Sequence, residues 1–212
     1  MSDAGPSSTV SGGFPANARA WWLAVRPRTL GASVVPVGVG LAYAGRSVDL
    51  DLAVAAATLV AALLLQVATN LANDYYDFAS GIDTAQRLGP VRATAAGLLP
   101  PTAVKRAAFA ATGAAVAIGV FLVARGGLPI LAIGAAAAVC ALAYSAGPAP
   151  LASRGFGEVL AFVFFGIVAV GGTALLQGAA PDARLLLVGV PVAALVTAIM
   201  VVNNLRDIPT DR

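Results

Sequence analysis

The sequence contains no histidine, a single cysteine (Cys140) and a single glutamate (Glu158). Histidine and cysteine supply most zinc ligands and the bases and nucleophiles of hydrolytic triads, so their scarcity excludes classical zinc sites and Ser-His-Asp or Cys-His chemistry. A lone cysteine also excludes an intramolecular disulfide. Any metal must therefore rest on oxygen ligands, which points to magnesium or calcium. Charge is scarce too, at 11% of residues against 59% apolar, with a mean hydropathy of +0.87. Soluble domains carry about a quarter charged residues, so this chain cannot cover a water-exposed surface. The same composition excludes disorder for most of the chain. A net charge of +3 is too small to argue for a nucleic-acid partner.

What is present is a series of uncharged intervals: 29–45, 52–73, 107–124, 126–153, 159–181 and 185–205. A helix crosses a bilayer in about 20 apolar residues, so the expectation is an all-α, polytopic transmembrane bundle with six spans. The longest interval includes a loop, because Gly147, Pro148 and Pro150 end its helix near Ala146. Abundant Ala and Gly suit close helix packing in lipid. Residues 1–16 read as a flexible cytoplasmic tail without the apolar core of a signal peptide. Trp21 and Trp22, before the first span, read as interfacial anchors, with the entrance to a cytoplasmic cavity as the rival role for their segment.

Orientation follows from the basic residues. Ten fall on one side: Arg19, Arg26, Arg28, Arg87, Arg92, Lys105, Arg106, Arg154, Arg206 and Arg212. Three fall on the other: Arg46, Arg125 and Arg184. The excess predicts a multi-pass protein of the inner (plasma) membrane with a cytoplasmic N-terminus and two longer cytoplasmic linkers, near 80–103 and 147–156.

Two polar clusters interrupt this apolar pattern. In QVATNLANDYYDFASGID, residues Gln66, Asn70, Asn73 and Asp77 are spaced 4, 3 and 4, on one helical face with Asp74 beside it. Proximity to water accounts for Asp77 and Asp83. It accounts poorly for Gln66 and Asn70, which lie deeper, where polar groups are costly and usually face a cavity. The sixth span ends VVNNLRDIPTDR, with Asn203, Asp207 and Asp211 spaced 4 and 4 and Asn204 adjacent. Asp74, Asp77, Asp83, Asp207 and Asp211 are five of only ten acidic residues. Carboxylates gathered at one membrane face repel unless a cation lies between them. Mg²⁺ takes such ligands and bridges them to substrate phosphates. Arg92, Arg154 and Arg206 lie on the same side, and guanidinium groups bind phosphate bidentately. For Arg92 and Arg154 a topological role competes with this one. Together these features fit a lipid diphosphate, its head at the rim and its tail between helices. Metal and arginine would stabilise the leaving diphosphate. Tyr75, Tyr76, Phe78 and Tyr144 either stabilise the resulting allylic cation through their faces or serve as interfacial anchors.

The motifs NDYYDFASGID (73–83) and NNLRDIPTDR (203–212) resemble those of the UbiA superfamily of intramembrane aromatic prenyltransferases. RPRTLGASVVPV (26–37), DTAQRLGPVRATAAGLLPP (83–101) and YSAGPAPLASRGFGEVLAFVFFG (144–166) narrow the likeness to its branch of 1,4-dihydroxy-2-naphthoate polyprenyltransferases of menaquinone synthesis. The branch also shows the shift of an acid from position 81, here Gly81, to Asp83. The resemblance implies a bundle around a cavity open to lipid. It implies Mg²⁺-dependent transfer of a polyprenyl group from polyprenyl diphosphate to dihydroxynaphthoate with loss of carboxylate, giving demethylmenaquinone. By motif position, Asn73, Asp74, Asp77 and Asp83 would hold one magnesium–diphosphate contact, and Asp207 and Asp211 the other. Asp77, Asp207 and Arg92 would be catalytic. Asn70, Asn73, Arg92, Tyr144, Arg154, Asn203 and Arg206 would bind substrate. The family has nine spans and this chain stops at the second motif, so the expectation for residues 17–212 is a domain lacking about three C-terminal helices.

Other readings of the residues are another aromatic acceptor, an inactive truncated membrane protein, a transporter, and a phosphotransferase acting on CDP-alcohols. The phosphotransferase signature needs closely spaced aspartates followed by Ala-Arg and Gly in one stretch, which NDYYDFASGID does not continue into. Transporters break helices at mid-membrane, whereas the polar residues here gather at one rim.

Overall fold

The computed structural model describes residues 16–81, 91–144 and 155–207. A short helix, α1 (Ala16–Val25), precedes α2 (Pro27–Ala44), α3 (Leu52–Ala79) and α4 (Pro101–Ala143). The fifth helix, α5, runs Gly157–Leu176, and α6 covers Ala183–Asp207. No strand occurs among the described residues. The N-terminal tail 1–15 and residues Asp83, Arg154 and Asp211 lie outside the described residues.

Four helices are long and apolar enough to cross a membrane: α3, α4, α5 and α6. At 43 residues α4 is about 65 Å long, twice the hydrocarbon thickness. It breaks at Gly127, whose φ of 67° and ψ of −155° are open essentially to glycine alone. Its two arms therefore count as separate crossings, with Pro129 just inside the second arm. With α2, of 18 residues, this gives the six expected spans of an all-α membrane protein. Successive spans alternate in direction and leave two polar ends.

The end holding Gly127 is tied by side chains. Asp51 caps α3, accepting from the backbone N–H groups of Ala53 (2.9 Å) and Val54 (3.1 Å). Arg125, beside the α4 break, donates to the same carboxylate at 3.0 Å. The Val54 N–H, then that of Ala53 and the Arg125 charge, hold the Asp51 carboxyl below the usual aspartate range. Gln177, just beyond α5, closes a two-way bond with the Asp51 backbone. Its Oε1 accepts from the Asp51 N–H (2.8 Å) and its Nε2 donates to the Asp51 carbonyl (3.2 Å).

Small residues set how closely the helices approach. In α5 the stretch Phe162–Val168 is π-helical, inside an otherwise α-helical span. On an ideal α-helix Glu158 and Gly166 would lie about 80° apart around the axis. The wider π turn brings them toward one face, and both meet α6. A Cβ at Gly166 would stand 2.1 Å from the Ala193 Cβ, and one at Gly189 would stand 2.8 Å from the Gly166 carbonyl oxygen. Nothing larger than hydrogen fits at Gly166. Gly166→Val should therefore force α5 from α6 at a cost of about 1–3 kcal/mol, read as a lower thermal inactivation midpoint in detergent than for Gly171→Val, where a Cβ meets open space. Equal midpoints for the two variants would remove the contact from the fold's determinants.

Candidate active site at the Asp77 end of the bundle

The opposite end carries both sequence motifs. Between α1 and α2 the chain turns at Arg26, which is left-handed (φ 54°, ψ 67°). This conformation is costly for a residue with a Cβ, and α3 supplies the compensating bonds. The Asn70 Nδ2 donates to the Val25 carbonyl and to Thr29 Oγ1, both at 2.8 Å. Thr29 Oγ1 in turn donates to the Arg26 carbonyl at 2.9 Å. One turn deeper, Ser33 Oγ donates to Gln66 Oε1 at 3.4 Å. Asn70 is 3% exposed. The deep half of the polar face thus fastens a helix corner. The buried Asn70 finds its partner at a neighbouring helix end whose carbonyls lack intrahelical partners, and the half-buried Gln66 finds its own at Ser33.

The rim half is different. Asp77 forms an ion pair with Arg92 at 2.5 Å, and the Arg92 side chain is buried while that of Asp77 keeps 22% exposure. Asp74, one turn earlier, is 1% exposed, and the Thr94 N–H points to its Oδ1 at 3.4 Å. The loop carrying Arg92 and Thr94 is itself anchored. Ala93 and Leu99 are buried in the cluster that joins α1, α3 and α4. The Ala96 N–H donates to the Arg92 carbonyl and the Leu98 N–H to the Ala93 carbonyl, both at 2.9 Å, and Gly97 takes the left-handed conformation (φ 68°) that closes the turn. A guanidinium held this way is buried against protein groups, and its Nη2 donates to the Asp77 carboxylate of the first motif.

The second motif ends α6. Asn203 and Arg206 lie in its last turns, and Asp207 is its final residue. Asn204 Nδ2 donates to Glu158 Oε1 at 2.6 Å, tying this motif to the start of α5. Tyr144, at the end of α4, donates its hydroxyl to Met200 Sδ at 3.4 Å and lies within Coulombic reach of both Asp77 and Glu158. Tyr144 thus joins the end of α4 to α6 through Met200. Sequence reasoning named Glu158 only as the lone glutamate, and no local spacing signals its pairing with Asn204, which is 46 residues away.

The aromatic residues divide. Tyr75 and Tyr76 meet edge to face, pack on the α1–α3–α4 cluster, and Tyr75 carries Lys105 over its ring at 5.1 Å. Trp21 packs on the same cluster, whereas Trp22 is 63% exposed. Phe78 is exposed as well.

Among the described residues no three carboxylates converge on one point. The first-motif side chains at this end, Asn73, Asp74 and Asp77, carry oxygen donors of the kind that suit a hard divalent cation.

The model of the UbiA prenyltransferase family matches residues 33–212. A 1,4-dihydroxy-2-naphthoate octaprenyltransferase of Bacillus subtilis is 36% identical over 191 residues, covering 90% of this chain and 61% of that protein. The protein of the same description from Mycobacterium tuberculosis is 38% identical over 194 residues, with 90% and 65% covered. That from Escherichia coli is 34% identical over 208 residues, with 92% and 65% covered. The chain thus spans less than two thirds of the length of these curated relatives. With a family match across 33–212, and with both acidic motifs gathered at one end of a six-span bundle, the chain belongs to the UbiA prenyltransferase family.

Proposed function

We propose that the protein is a membrane prenyltransferase that moves a polyprenyl group from polyprenyl diphosphate to 1,4-dihydroxy-2-naphthoate, releasing CO₂ and diphosphate and giving demethylmenaquinol, the reduced form of demethylmenaquinone. The observation that carries this reading is the buried Arg92 paired with Asp77 at the end shared by both motifs. The naphthoate octaprenyltransferases it resembles support the choice of acceptor.

In this reading Arg92 and Asp77 neutralise each other until substrate arrives. Arg92 then turns its fork to the diphosphate. Asp77, with Asn73, Asp74 and Asp83, would hold one magnesium–diphosphate contact, and Asp207 and Asp211 would hold the other. When bound, the metal offsets the negative charge that grows on the departing diphosphate. Asn203 and Arg206 place the second motif against the same head group. The allylic C–O bond breaks with its electron pair leaving on the diphosphate, and Tyr144 faces the developing cation. The ring carbon of the naphthoate supplies the electron pair for the new C–C bond. Loss of CO₂ returns the pair of the C–carboxylate bond to the ring, so aromaticity is restored without a protein base. This accounts for a site with no histidine and a single glutamate.

Ten basic residues against three support a cytoplasmic Asp77 end, and the plasma membrane is the proposed location. In a Cys140→Ala background, a cysteine at Ser80 should label only from the cytoplasmic side and one at Ala180 only from outside. The reverse pattern would overturn the orientation. The reaction itself is tested by supplying a polyprenyl diphosphate with either the naphthoate or 4-hydroxybenzoate and identifying the product. Prenylated naphthoquinol with stoichiometric CO₂ is expected. Arg154 is the proposed partner of the naphthoate carboxylate, so Arg154→Ala should raise the naphthoate KM more than the prenyl diphosphate KM. Efficient prenylation of 4-hydroxybenzoate instead would overturn the acceptor.

A further inference from the structure

At the end of the bundle opposite Asp77, two cavities meet between α2 and α6. One, of about 330 Å³, is lined by Tyr43, Arg46, Ser47, Ala180, Asp182 and Arg184. The other, of about 210 Å³, shares Tyr43 and Arg46 and continues along Val39, Ala42 and Val188. The first is polar and basic, whereas the second is an apolar groove on the flank of the two helices. Asp182 offsets one of the two arginines, which leaves the lining with one positive charge in excess. Its Oδ1 accepts from the Tyr43 hydroxyl (2.6 Å) and from the Leu185 N–H (2.8 Å) at the start of α6. Among the described residues neither Arg46 nor Arg184 forms an ion pair, and Arg46 lies over the Tyr43 ring at 5.9 Å. Two guanidiniums against one carboxylate thus face a head-group-sized hollow from which an apolar groove leads along the helices.

We propose that this place binds an anionic glycerophospholipid, with Arg46 and Arg184 on the phosphate and an acyl chain along Val39, Ala42 and Val188. The chemistry of the lining selects this occupant. A free phosphate would use the arginines and leave the groove without purpose, whereas a zwitterionic lipid would fill the groove but bring its own cation against the arginines. The bound lipid would bridge α2 to α6, the helix that carries the second acidic motif at its far end. Nothing in this site depends on the prenyl-transfer reading.

The test is binding of phosphatidylglycerol and phosphatidylcholine to the purified protein in detergent, measured by native mass spectrometry. The unaltered protein should retain one phosphatidylglycerol in clear preference to phosphatidylcholine. Arg46→Gln with Arg184→Gln should weaken that binding about tenfold or more. Arg125→Gln removes a charge at the same end but outside the cavity, and should leave binding within about twofold. Added glycerol phosphate should not compete. Equal retention of the two lipids by the unaltered protein would overturn the proposal without recourse to any variant. So would undiminished phosphatidylglycerol binding by the double variant, or full competition by glycerol phosphate, which would show that the arginines recognise a free anion.

Discussion

Asp77→Asn is expected to lower prenyl transfer by about a thousandfold, equivalent to about 4 kcal/mol of barrier, while the protein still inserts and remains monodisperse. Two losses combine. The amide is a poorer ligand for a hard cation than a carboxylate, and it leaves the buried Arg92 guanidinium without the charge it faces. Arg92→Ala should be comparably severe, and should also raise the KM for the prenyl diphosphate. Because the two side chains contact each other, their effects should not add. The double variant should be little worse than the weaker single one. Fully additive losses, or a rate for Asp77→Asn within about threefold of the unaltered protein, under 1 kcal/mol, would separate this pair from the reaction.

The second large effect concerns the far motif. Asp207→Asn should again cost about a thousandfold, because this residue would hold the second magnesium–diphosphate contact. Glu158 acts differently. It touches Asn204 rather than substrate, so it is a positioning residue. Glu158→Leu should reduce turnover by about tenfold and raise the magnesium concentration needed for half-maximal rate, by freeing the end of α6. Glu158→Gln keeps an acceptor oxygen for Asn204 and should restore most of the rate. If the leucine and glutamine variants behave alike, the Glu158–Asn204 bond has no part in holding the motif.

Six spans were legible because each charge in this chain must reach water or a partner, so the intervals between charges mark the lipid-facing lengths. Arg125 illustrates the rule: it separates the third and fourth intervals in the sequence, and it lies beside the Gly127 break with its charge on Asp51. The rim acids were legible for the same reason. What was not legible depends on what stands opposite. Spacing put Gln66, Asn70 and Asp77 on one face of α3, but it carries no information on the neighbour of that face. Asn70 bonds the Arg26 corner, and Gln66 bonds Ser33 one turn deeper. The π segment Phe162–Val168 is equally silent, because an apolar run of seven residues reads the same in either helix. The pairing of Glu158 with Asn204 depends on that segment, and on Gly166 letting α5 meet α6, so it follows from tertiary packing alone.

The central claim is that the Asp77 end of the bundle holds a metal-bound prenyl diphosphate. Its most direct measurement is diphosphate release from a polyprenyl diphosphate, in the presence of dihydroxynaphthoate, as magnesium is titrated. No release is expected under chelation, with saturable release as magnesium is restored and loss of that response in Asp77→Asn and Asp207→Asn. Release that is indifferent to magnesium, or that survives in both variants, would contradict it.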